Sequence, residues 1–260
     1  MDALKHSRRI SADALKWIAL LTMLVDHIGV ALLENTYALP ALAAGNENLA
    51  YSILFIDLIL RLIGRIAFPL FCYLLVQGFL YTRSVRRYAV RLAVFAAISE
   101  LPFDWMVFGT PSFEAQNVYF TLLIGLLTLT ALRAIERSPT RLKRTGMGVV
   151  VLCAMALALA LRADYDVMGV ALIAALYLTR ADRLRQCRVS AAVFLAVMIL
   201  RALALGSGMT GALLELGCLP AFALILRCDG ARRTRVGKYA FYAFYPAHML
   251  ALYGLSRLLS

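Results

Sequence analysis

The sequence predicts an all-α fold: a polytopic transmembrane helical bundle of about nine to ten membrane helices, forming one domain over residues 1–260. Composition is the first reason. Of the 260 residues, 62% are hydrophobic and 16% charged, and the mean hydropathy is +0.79. A soluble domain carries about a quarter charged residues, so too little polar surface exists here to coat a globule. The second reason is length: the apolar runs suit membrane helices, which need about 20 residues, better than shorter barrel strands. The third is that basic residues fall in short clusters between those runs, as loops of a membrane protein do.

The first span covers about 11–33 and follows Lys5, Arg8 and Arg9. No small-residue cleavage pattern accompanies it, so it is expected to stay as an anchor. Residues 34–48 are polar, lack Lys and Arg, and read as a loop. The stretch 49–81 is too long for one straight crossing and is interrupted at Arg61, Gly64, Arg65 and Pro69. It reads as an amphipathic or re-entrant helix over about 49–63, then a span over about 66–82. Further spans are expected at about 87–108, 117–135, 146–162, 167–179, 189–206, 210–226 and 239–257. That makes nine crossings, or ten if 49–63 also crosses.

Five basic clusters hold 21 of the 27 Lys and Arg residues: Lys5/Arg8/Arg9, Arg83/Arg86/Arg87/Arg91, Arg133/Arg137/Arg141/Lys143/Arg144, Arg180/Arg183/Arg185/Arg188 and Arg227/Arg232/Arg233/Arg235/Lys238. Nine crossings put all five on one side, which the positive-inside rule makes cytoplasmic. The opposite loops carry Glu34, Glu47, Glu114, Asp164 and Asp166. The net charge of +12 therefore reports membrane topology, and nucleic acid is not an expected partner. Cys72, Cys153, Cys187, Cys218 and Cys228 are odd in number without ligand-like spacing, and indicate neither a disulfide framework nor a metal site.

Ionisable side chains within the spans need a reason, because each costs about 2.5–3.5 kcal/mol on insertion scales. Lys16 and His27 are eleven residues apart, about three turns plus 20°, so they share a helix face roughly 16 Å apart. Asp26 points about 100° away from His27, which therefore needs a partner from another helix. Asp57, Arg61 and Arg65 recur at i, i+4 and i+8 and form a charged ladder. Glu100, Asp104, Asn117, Tyr165, Asp166, Arg201, Glu215 and His248 are expected at similar depth. One reading is a set of salt bridges that fix helix packing. The sharper reading is convergence on one pocket in the outer half of the membrane.

The run Leu15-Lys16-Trp17-Ile18-Ala19, then Leu24-Val25-Asp26-His27-Ile28-Gly29, resembles the start of the TraX family, whose name-giver acetylates the N-terminus of conjugative F-pilin. Ile63 to Phe71, Gln77-Gly78-Phe79, Ile98 to Asp104, Asn117 to Leu122, Tyr165, Gly169 and Tyr239 to His248 continue the likeness. The family is similar to integral-membrane acyltransferases of the OafA kind, which carry a basic residue, ten positions and a histidine in their first span. The resemblance implies acetyl-CoA as donor and His27 as general base. Asp26, Arg65, Glu100, Asp104 and Asn117 complete the expected catalytic set, with Arg65 or Asn117 facing an oxyanion and Glu100 or Asp104 orienting His27 or attracting a cationic amine. Lys16, Arg83, Arg86, Arg87 and Arg91 are the expected coenzyme A contacts. Arg61, Tyr165, Asp166, Glu215, Tyr242 and His248 are further pocket candidates. Gln77-Gly78 departs from the Ser-Gly of the wider superfamily.

The expected partners are the lipid bilayer, coenzyme A, and an acceptor that is a protein N-terminus or an envelope glycan. Two other classes stay open: a proton-coupled transporter or flippase, and a non-catalytic factor for pilus or envelope assembly.

The orientation can be tested by labelling single cysteines placed at Ala43 and Ser138 in an otherwise cysteine-free chain. A membrane-impermeant maleimide should label Ala43→Cys in intact cells and leave Ser138→Cys unlabelled. Labelling of position 138 alone would invert the topology.

Overall fold

The computed structural model describes residues 10–205, 214–231 and 238–259, and every regular element among them is helical. Lys5, Arg8, Arg9, Arg232, Arg233, Arg235 and the start of the span expected at 210–226 lie outside the described residues. The helices are α1 (Ala12–Ile28), a π-helical stretch (Gly29–Ala38), α2 (Leu39–Ala43), α3 (Glu47–Gly64), α4 (Ala67–Tyr81) and α5 (Val85–Phe108). They continue as α6 (Val118–Arg137), α7 (Lys143–Ala160), α8 (Asp166–Leu178), α9 (Arg183–Leu205), a 3-10 turn (Leu216–Cys218), α10 (Leu219–Leu226) and α11 (Lys238–Leu259). Among the described residues, four helical stretches are long and apolar enough to cross a membrane: Ala12–Ala43, Val118–Arg137, Lys143–Ala160 and Arg183–Leu203. Asp166–Leu178 and Leu216–Leu226 are shorter apolar helices.

The polar stretch expected to be a loop over 34–48 is instead mostly helix. α1 runs without a break through the π-helical stretch into α2, and only a three-residue turn separates Ala43 from α3. The wider π turns supply the bonds that hold this stretch. Leu39 N donates to Glu34 O, five residues back, and Thr36 Oγ1 donates to Ala31 O at 2.7 Å. Polarity misled here because these side chains bond within the helix rather than ending it. Asn46 then caps α3 by accepting from Leu49 N at 3.3 Å.

The chain forms two compact units that interleave in sequence. The first comprises Met1–Phe71, Leu101–Ser112 and Gly208–Ser260. Ser11 caps α1 by accepting from Ala14 N at 3.1 Å. Ile10 N donates to Arg227 O and Asp229 N donates to Ile10 O, at 3.0 and 2.9 Å. These bonds tie the start of α1 to the end of α10. α3 runs back along α1: Gly29 packs against Asp57, and Gly64 against Asp26. α3 therefore ends level with Asp26, short of the start of α1. α11 runs parallel to α1, with Trp17 against Phe241 near one end and His27 against His248 further along both helices.

The second unit comprises Cys72–Glu100 and Phe113–Ser207. α8 is its centre, because every residue from Met168 to Tyr177 is buried. A helix apolar on all sides belongs inside a bundle. At one end Arg180 grips Glu136 with two bonds, at 3.0 and 2.9 Å, and Tyr177 Oη donates to the same carboxylate at 2.8 Å. At the other end Gln116 exchanges backbone bonds with Arg162 O and Asp164 N. α6 and α8 are thus parallel, with α7 returning between them. Val149, Leu152, Leu157 and Leu159 of α7 are exposed, as side chains facing lipid tails would be.

Two glycines separate packing from propensity. A Cβ on Gly217 would collide with the Leu62 carbonyl oxygen, whereas one on Gly148 would meet nothing. Gly217→Ala should cost roughly 1–3 kcal/mol, as overpacking does, and lower the thermal midpoint in detergent. Gly148→Ala should leave the midpoint unchanged or raise it. Equal effects at both positions would contradict this packing.

Candidate functional site

The polar centre of the first unit is built on two consecutive residues of α1 that point to different neighbours. Asp26 turns toward α3, where its Oδ2 accepts from Arg61 Nη1 at 3.1 Å. Gly64 is required at this crossing because a Cβ there would overlap the Asp26 side chain. His27 turns toward α11, and its Nδ1 lies 2.6 Å from His248 Nε2. The two imidazole planes are within 8° of parallel, with centroids 4.9 Å apart. Tyr245, one turn before His248, packs its ring against both imidazoles at 5.9 Å. Phe244 stacks on His248 at 4.8 Å. His248 is buried, while His27 is only half-buried.

Further charges gather around the end of α3. Arg65 Nε lies 3.5 Å from Glu215 Oε1, just before the 3-10 turn. Asp57 is 7% exposed, and its Oδ1 has no hydrogen-bond partner among the described residues. Asp26, His27, Arg61, Arg65, Glu215 and His248 thus lie on helices of one unit. Lys16 sits three turns before His27, pairs with Asp13 Oδ1 at 3.1 Å, and lies 5.3 Å from the centre of the Phe241 ring. Phe241, Tyr245 and His248 follow a helical spacing along α11 that matches the Lys16–His27 face of α1.

Other expected site residues have different work. Asp104 Oδ2 accepts from Ser112 N at 3.0 Å and pins the turn after α5. In the second unit, Asn117 Nδ2 donates to Ala96 O at 2.8 Å and also to Glu100 Oε2, while its Oδ1 accepts from Tyr119 N. Both amide hydrogens of this fully buried side chain are therefore engaged, so Asn117 caps α6 and ties it to α5 rather than facing an oxyanion. Glu100 and Asp104 were expected to orient His27 or attract an amine; the group at hydrogen-bond distance from His27 Nδ1 is His248. Tyr165 caps α8 and Asp166 opens it, with φ of 59° and 27°, and Asp166 pairs with Arg201 at 3.2 Å. Arg83, Arg86 and Arg87 are exposed around the α4–α5 turn, and Arg91 lies over the Tyr88 ring at 5.3 Å. Tyr88 in turn packs on Gly78, which explains the small residue there. Tyr242 lies one turn before Tyr245.

Two contributors escaped the sequence reading. Tyr245 is three residues from His248, a same-face spacing that was open to notice. Asp13 stands three residues before Lys16 at the start of α1, where a carboxylate also favours the helix dipole.

The helices and this charged centre define a multi-helix membrane protein with an ionisable site inside it. The chain matches the TraX protein family over residues 11–256 and belongs to it. It is 26% identical over 249 residues to a probable fimbrial assembly protein FimC (serogroup H1) of Dichelobacter nodosus, covering 93% of this chain and 94% of that protein. No solved structure matches.

The Asp26–Arg61 pair should show strong coupling, because removing one partner strands the other charge. Arg61→Met alone should destabilise the protein by roughly 3–5 kcal/mol. Adding Asp26→Asn should recover much of that loss in a double-mutant cycle on thermal or chemical denaturation. Additive losses would show that the two residues do not act as a pair.

Proposed function

We propose that this protein is a membrane-embedded acyltransferase that moves an acetyl group from cytoplasmic acetyl-CoA to an amine or hydroxyl at the outer side, with His27 as general base. One observation carries the reading: an imidazole held against a second imidazole inside a helix bundle, with a lysine three turns away on the same face. Membership of the TraX family and the likeness to a fimbrial assembly protein support a pilin-related acceptor. The acceptor we favour is the amino terminus of a pilin-like envelope protein.

The topology that serves this chemistry has nine crossings, a cytoplasmic N-terminus and an external C-terminus in the bacterial inner membrane. Three contacts support it. The parallel run of α1 and α11 needs an even number of crossings after the first. The bonds of Ile10 with Arg227 and Asp229 bring the start of α1 beside the end of α10, which suits a shared side for the two ends. α3 ends at the level of Asp26, which suits a helix that enters and stops rather than crossing.

Chemically, the acceptor nitrogen or oxygen attacks the thioester carbonyl while His27 removes its proton. The C–S bond breaks as the tetrahedral intermediate collapses, and the proton held on His27 passes to the departing coenzyme A sulfur. Arg65 carries positive charge near the same centre and can stabilise a developing oxyanion. Basic clusters on the cytoplasmic side attract the phosphates of the donor, and Lys16 marks where the α1 face meets that side. The pantetheine arm then has only to cover the three turns from Lys16 to His27.

A second reading, a non-catalytic factor for fimbrial assembly, draws on the name of the Dichelobacter nodosus relative. Purified protein in liposomes decides between them when given acetyl-CoA and a peptide with a free N-terminal amine. Thiol release should depend on the peptide, and His27→Ala should lower it by roughly 10²–10⁴-fold while coenzyme A binding persists. Lys16→Ala should raise KM for acetyl-CoA with a smaller effect on kcat. Coenzyme A binding that is absent from the wild-type protein would favour the assembly reading.

A further inference from the structure

His248 has two ring nitrogens with different partners, and that difference fixes where the protons sit. Its Nδ1 is 2.7 Å from the Phe244 carbonyl oxygen. A carbonyl oxygen only accepts, so Nδ1 of His248 carries a hydrogen and donates it. His248 is buried among Phe244, Tyr245 and His27. A full charge is costly in such a place. In its neutral form its Nε2 is then a lone pair. Among the described residues, the group set against that lone pair at hydrogen-bond distance is Nδ1 of His27, at 2.6 Å. Two lone pairs cannot bond, so His27 Nδ1 must carry the hydrogen. The remaining nitrogen of His27, Nε2, is left with its lone pair outward from the pair.

We infer that His248 is a positioning residue that, through its neutral Nε2, holds His27 in the tautomer whose Nε2 is the basic atom. The inference rests on the acyltransferase reading for its purpose, but its geometry is independent of the acceptor. The charged and titratable groups that face the pair are Arg61 on α3, Arg65 at its end and the Tyr245 phenol on α11, with Asp26 and Asp57 set against the two arginines. Asp26 is bound by Arg61, so a carboxylate does not supply the bond that orients His27. A second imidazole does that work without placing a fixed negative charge beside the base. Fixing which nitrogen is protonated is the ordinary task of a histidine's second hydrogen bond. The unusual feature is that the partner must itself be held in one tautomer, and the Phe244 carbonyl does that.

The chain has three histidines, His6, His27 and His248, so labelling with nitrogen-15 histidine gives spectra that can be assigned by single replacements. Full-length protein in lipid nanodiscs at neutral pH should show a hydrogen on Nδ1 and none on Nε2 for both His27 and His248. In His248→Ala, His27 should lose that single tautomer; in His248→Gln, whose amide oxygen can accept from His27 Nδ1, it should regain it. With acetyl-CoA and the peptide amine, His248→Ala should lower kcat at least about tenfold. Loss approaching about 10⁴-fold is the scale seen when a catalytic histidine is held in the wrong tautomer. KM for acetyl-CoA should stay unchanged, and His248→Gln should restore much of kcat. A hydrogen on Nε2 of His27 in the wild-type spectrum, or an unchanged tautomer in His248→Ala, overturns the inference. The wild-type spectrum decides even if His248→Ala does not fold. If the tautomers are as expected but His27→Ala keeps full transfer, the positioning stands and the base assignment fails.

Discussion

A helix can carry an aspartate and a histidine through hydrocarbon only if each finds a partner from elsewhere, and that requirement shapes the first unit. Adjacent residues on a helix diverge by about 100°, so Asp26 and His27 cannot share one neighbour. Asp26 takes Arg61 on α3, and His27 takes His248 on α11. α1 is thereby fixed between two helices, one antiparallel and one parallel. The glycines at 29 and 64 permit the α3 crossing by leaving room for Asp57 and Asp26. The charges are expensive individually, and the pairings return much of that cost.

Much of this was legible in the sequence because it depends on local patterns. Apolar runs predict α4 to α9 and α11 to within a few residues, apart from the start of α9, which extends back to Arg183. The Lys16–His27 spacing and the Asp57–Arg61–Arg65 ladder identify the faces that meet. The choice of partner was not legible. His248 is 221 residues from His27, and periodicity says nothing about which distant helix supplies a bond. Glu100 and Asp104 looked equally suitable by depth, yet each is used nearby: Glu100 by Asn117, and Asp104 by the Ser112 backbone. The π-helical stretch was also hidden, since a residue such as Glu34 or Thr36 reads as loop until its turn geometry is seen.

The arrangement bears on function through the contrast between the two consecutive residues. Arg61 holds Asp26 in an ion pair, a structural use of charge. His27 lies against a second imidazole, and in the proposed assignment this leaves its other nitrogen for chemistry. The Asp26–Arg61 ion pair is the kind of contact the packing alternative expects, and the paired imidazoles are what the proposed pocket reading draws on. A transporter would use the same residue types, but paired broken helices in two related halves, which would favour it, were not apparent in the sequence.

The most direct measurement compares the acetylated envelope proteins and glycans of cells making the wild-type chain with those of cells making His27→Ala at equal membrane abundance. Mass spectrometry should find an acceptor that carries one added acetyl group with the wild-type chain and loses it with the variant. Identical acetylation in the two strains would contradict the claim that this centre transfers acyl groups.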